Sequence, residues 1–134
     1  MLKKIIGVVA IAISVCLLTT SCKKDCSAGS GGDLTFVVKL KHHGVIIPND
    51  SLRPDTVWVK YNALTWQNPP SGYDARFIGE FPEDHVHVTQ MKCGDYFLYA
   101  AGFDASINEQ VRGGVKFSTD GKNTESLVDI AVVE

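Results

Sequence analysis

From Leu34 onward, apolar residues recur at every second position. Leu34, Phe36, Val38 and Leu40 fall on one side of an extended strand, with Thr35, Lys39 and Lys41 on the other, so one face is expected to be buried. The turn-forming run HHGVIIPNDSLRPD then leads to Thr56–Tyr61, where Val57, Val59 and Tyr61 share a face. NPPSG breaks the chain again before YDARFIGEF, in which Tyr73, Ala75, Phe77 and Phe81 alternate with Asp74, Arg76 and Glu80. From His85 to Met91, Val86 and Val88 take one side and His85 and His87 the other. DYFLYAAGF, residues 95–103, is apolar on both faces and is expected at the centre of a sheet. Residues 109–118 and 127–133 supply the last two strands, with the hairpin-forming TDGKN between them. Seven short strands without an amphipathic helix predict an all-β chain folded as an antiparallel seven-stranded β-sandwich over residues 34–134.

The pattern differs before that point. Lys3 and Lys4 precede an apolar run from Ile5 to Leu18, about 21 Å long as a helix against a bilayer core of about 30 Å. That length suits the apolar region of an export signal, with a retained membrane anchor as the alternative. Leu18-Thr19-Thr20-Ser21-Cys22 resembles a lipobox, the bacterial lipoprotein signal, although Leu18 stands one place earlier than is usual. The resemblance implies a signal peptide over 1–21 and lipidation of Cys22, since Cys16 lies inside the apolar run and Cys26 follows charged residues. Lys23-Lys24-Asp25 is similar to the start of many Bacteroidota lipoproteins, which implies an outer-membrane location on either the periplasmic or the surface side. Acyl chains contribute about 0.8 kcal/mol per buried CH₂, enough for a multiply acylated cysteine to hold to a membrane. Residues 22–33, with SAGSGGD at their end, read as a lipidated cysteine and flexible tether. An oxidising exterior permits a Cys26–Cys93 disulfide, while a free, partly buried Cys93 is the alternative.

The succession LTFVVKL, TVWVKYNA, MKCGDYFLYAAGFD, RGGVKF and VDIAVVE resembles the prealbumin-like sandwich of transthyretin-like and carboxypeptidase-regulatory-like domains; an immunoglobulin-like sandwich shares the pattern. In the former, a turn glycine and a tyrosine open a central strand, here Gly94 and Tyr96. Such domains bind or support other molecules and are rarely catalytic. On physical grounds alone, the Tyr96 ring is expected in the core with its hydroxyl on a loop backbone. Gly113 and Gly114 suggest a bulge or a close backbone approach.

Charge narrows the partners. The chain carries a formal charge of -2, and about -4 without Lys3 and Lys4. Its basic residues are dispersed, which argues against nucleic acid. No hydrolase signature or phosphate-cradling loop is present, and no cofactor is called for, so a non-enzymatic role is expected. Two leads remain. Trp58 should face away from the core, and Trp66 and Tyr73 flank QNPPSG; exposed aromatic rings of this kind contact proteins or stack on sugars. A non-enzymatic envelope protein binding a protein or glycan partner is the first reading. His85 and His87, an HxH pair on one strand face, form the second, a zinc or copper site completed from His42, His43, Glu83 or Asp84.

Overall fold

The protein is described here by a computed structural model covering residues 26–65 and 71–134. Eight strands run in chain order: β1 (Ser30–His42), β2 (Val45–Ile46), β3 (Thr56–Tyr61), β4 (Ala75–Ile78), β5 (Val86–Met91), β6 (Gly94–Asp104), β7 (Glu109–Thr119) and β8 (Glu125–Val132). The seven expected strands are all present, and β2, a two-residue piece inside the expected loop, raises the count. It exists because His43 and Gly44, both at positive φ, turn the chain back so that His42 pairs with Val45.

The strands form two four-stranded sheets. In the first, β8 lies along one edge of β1, while β5 and β2 share the other edge. In the second, the order is β4-β3-β6-β7, antiparallel throughout, with β6 inside as its two-faced apolarity demanded. Pairing is antiparallel everywhere except between β1 and β8, which run parallel from Thr35↔Glu125 to His42↔Val132. This corrects the hairpin expected at TDGKN. That turn, held by Asp120 accepting from the Lys122 amide, carries the chain from one sheet to the other; β7 and β8 pack against each other without forming a ladder, and a bridge between Arg112 and Val133 joins them. Gly113 permits that meeting, because a Cβ there would overlap the Ala131 carbonyl oxygen.

Both sheets turn apolar faces to a common core. Phe36, Val38 and Leu40 from β1, Val86 and Val88 from β5, and Ile130 from β8 pack with Val57 and Val59 from β3 and Tyr96 and Leu98 from β6. Phe36 sits edge-on to Tyr96 and to Phe117, with ring centroids 5.2 and 4.8 Å apart. Two stretches leave the expected alternation. β4 ends at Ile78, so Phe81, which was expected on the buried face, is exposed beside the cis Phe81–Pro82 bond. In β5, Gln90 at positive φ inverts the phase, and Met91 rather than residue 90 is buried.

The Gly-rich segment is part of the fold rather than a tether. β1 starts at Ser30, ahead of the expected boundary at Leu34, and Cys26 is joined to Cys93 by a disulfide with Cα atoms 4.9 Å apart. Tyr96, fully buried, donates its hydroxyl hydrogen to the Lys92 carbonyl at 2.6 Å and accepts from the Gly29 amide at 3.1 Å. The expected core tyrosine therefore ties residues 26–29 to the start of β6.

Candidate functional site

At the end of the molecule where β5 begins, three side chains converge. β5 pairs with β1 in the register Val38↔Val86, which buries Val86 and Val88 and leaves His85 and His87 on the opposite face. Their Nε2 atoms stand 2.9 Å apart, and Glu83 Oε2 is 3.7 Å from each. Ligand atoms about 3.3 Å apart span the edges of a tetrahedron around zinc with bonds of about 2.0–2.1 Å, so this triangle has the right size.

The next layer of contacts orients the ligands. Asp84 Oδ1 lies 2.8 Å from His85 Nδ1, and Asp84 Oδ2 accepts from Lys39 Nζ at 3.1 Å. These two bonds, that from His85 first, hold the Asp84 carboxyl below the usual carboxylate range. An ionised Asp84 requires His85 to carry its proton on Nδ1, which leaves the Nε2 lone pair for a metal.

The turn that presents Glu83 is positioned by Asn49, a residue the sequence reading did not single out. Asn49 is buried; its Nδ2 donates to the Glu83 and His85 carbonyls at 2.9 and 3.0 Å, its amide donates to the Glu83 carbonyl at 3.1 Å, and its Oδ1 accepts from the Asp55 amide at 2.9 Å. One asparagine thus satisfies polar groups of two loops. Its only signal in the sequence is a turn-forming residue after a proline, shared by many loops.

His42 and His43 do not join this triangle. They form a separate group with Glu134 at the same end of the domain. His42 is buried, with Nδ1 2.8 Å from Asp104 Oδ2. Asp104 also accepts from the Ser106 hydroxyl and amide at 2.6 and 2.9 Å, which keeps its carboxyl low, and its bond to His42 pushes the imidazole up from 6.5.

The aromatic lead falls on the outer face of the second sheet. Trp58 is half-buried, with its ring 5.5 Å from that of Tyr99, and Tyr73 lies 6.1 Å from Tyr99 on the same face. Tyr99, absent from the sequence-based candidates, is the centre of this group and is itself buried. Trp66 and the lipidation candidate Cys22 lie outside the described residues. Among the described residues, no helix is long and apolar enough to cross a membrane. No family model, no curated protein and no solved structure matches this chain.

Proposed function

We propose that this chain is a non-enzymatic, lipid-anchored protein of the bacterial outer membrane whose prealbumin-like sandwich holds a zinc or copper ion on Glu83, His85 and His87. The observation that carries the metal reading is the convergence of two imidazole nitrogens and one carboxylate oxygen at 2.9, 3.7 and 3.7 Å, with Asp84 bracing His85 from behind. Three protein ligands leave a coordination position for water or a partner's side chain. Anchorage rests on the lipobox-like sequence ending at Cys22, and the prealbumin-like assignment on the two sheets sharing one core with Tyr96 at the start of the central strand.

The test is a zinc and copper titration of the full-length protein in mild detergent, beside a His85→Ala/His87→Ala variant. Metal at a hundredfold excess over the Kd of this site should stabilise the wild type by about 2.7 kcal/mol more than it stabilises the variant. Equal melting temperatures with and without metal would remove the metal reading. Membrane release of a Cys22→Ala variant, against retention of the wild type, tests the anchor separately.

A second reading rests on the Trp58–Tyr99–Tyr73 group, which offers a ring face to an envelope protein or glycan. Trp58→Ala should weaken capture of such a partner without unfolding the domain, and undiminished capture would take Trp58 out of it.

A further inference from the structure

A second group of donors stands at the mouth of a cleft of about 630 Å³ between the β1–β2 turn and the loop after β6. It is built around a buried imidazole with an unmet requirement. His42 is held by Asp104 on Nδ1, and its side chain is only 4% exposed, yet Nε2 has no hydrogen-bond partner among the described residues. The nearest oxygen, Glu134 Oε1, is 3.5 Å away, too far for a good hydrogen bond. A buried nitrogen without a partner costs about 1–3 kcal/mol, so a native fold that keeps one calls for a reason.

The surroundings suggest that reason. His43 occupies the first position of a two-residue turn at φ 48°, a conformation that histidine adopts less readily than glycine, and the turn sets its ring 4.3 Å from that of His42. Ligand atoms of His42, His43 and Glu134 all lie within 4.8 Å of one another. Behind them, Asp104 stands to His42 as Asp84 stands to His85: a carboxylate on Nδ1 that leaves Nε2 pointing at the cluster.

We infer that His42, His43 and Glu134 form a second divalent transition-metal site, independent of the Glu83–His85–His87 triangle, with its remaining coordination position open to the cleft. A metal ion would supply the partner that His42 Nε2 lacks. Its charge would be met by Glu134 directly and by Asp104 through the imidazole. The cleft, walled by Val45, Ile47, Phe81 and Ile107, would leave room for a small ligand on the ion.

Zinc titration of the full-length protein in mild detergent, with nitrogen NMR of the histidine rings, tests this separately from the first site. The wild type should bind two equivalents, and the His85→Ala/His87→Ala variant should keep one, with the His42 Nε2 resonance moving on zinc addition. Adding His43→Ala or Glu134→Gln, both exposed, to that variant should weaken the remaining equivalent by about tenfold or more. One equivalent in the wild type, lost in the His85/His87 variant, would overturn the inference while leaving the proposed function standing. One equivalent in the wild type, kept in the His85/His87 variant and weakened there by His43→Ala or Glu134→Gln, would do the reverse. Zinc uptake with an unmoved His42 resonance would also overturn it.

Discussion

Asp55, at the entrance to β3, gives the most demanding test of the packing described above. It is completely buried, and neither carboxylate oxygen has a hydrogen-bond partner among the described residues. Burial alone pushes its carboxyl up from 3.8 to about 7. A carboxyl raised on folding favours the native state only while protonated. Its contribution is complete below about pH 4, declines by about 1.4 kcal/mol per pH unit, and is gone above about pH 7 to 8. Between the ordinary value of 3.8 and the folded value of about 7, the loss approaches about 4 kcal/mol. Asp55→Asn keeps the shape and removes the titration. Asp84, Asp104, Asp120 and Glu134, all held low, lose stability in the opposite direction on acidification, but they titrate in both proteins and cancel in the difference. Urea unfolding of both proteins from pH 4.5 to 8, followed by tryptophan fluorescence with the disulfide intact, gives that difference. The wild type should lose about 3–4 kcal/mol relative to the variant across this range. A difference independent of pH would show that the carboxyl is not protonated in the fold, and the reasoning from burial would fail.

Removing the Cys26–Cys93 bridge with paired serines frees a loop spanning 67 positions in the unfolded chain and should cost about 4 kcal/mol on the chain-entropy estimate, read as a lower urea midpoint that matches reduced wild type. Phe36→Ala, which empties the space between Tyr96 and Phe117, should cost about 3–5 kcal/mol in the same assay; a loss under about 1 kcal/mol would contradict the close packing. Asn49→Ala removes the bonds that position Glu83 and His85 and should weaken zinc binding at the triangle by about 10- to 100-fold with all three ligands present, whereas unchanged affinity would show that the turn holds without it.

The strand faces were legible because burial on one side of a strand imposes period two, and Leu34–Leu40, Thr56–Tyr61 and Val86–Val88 follow it without interruption. What escaped was non-local. TDGKN has the residues of a hairpin, but the edge of β1 competes for β8 and pairs with it in parallel, a choice that depends on shape rather than on the turn. SAGSGGD has the composition of a linker, yet Tyr96 and the disulfide bind it from distant parts of the chain. Phe81 was misplaced because alternation was carried past Gly79, where the chain leaves the sheet. At the candidate site, His85 and His87 announced themselves by spacing, and Glu83 followed as a neighbour. Asn49 and Glu134 are far from them in the chain, so only the fold brings them in.

The Cys26–Cys93 bridge also governs how the molecule would stand on a membrane. With the proposed lipid on Cys22, only three residues separate the anchor from the first fixed point at Cys26, a reach of at most about 14 Å over four steps. The domain would therefore sit close to the bilayer, not drift on a long leash. β1, thirteen residues and so about 40 Å long, runs from that end to His42. Both histidine clusters would then lie at the end of the domain opposite the anchor, a strand's length from the disulfide. A metal carried there would meet soluble or opposing-membrane partners before it met the lipid.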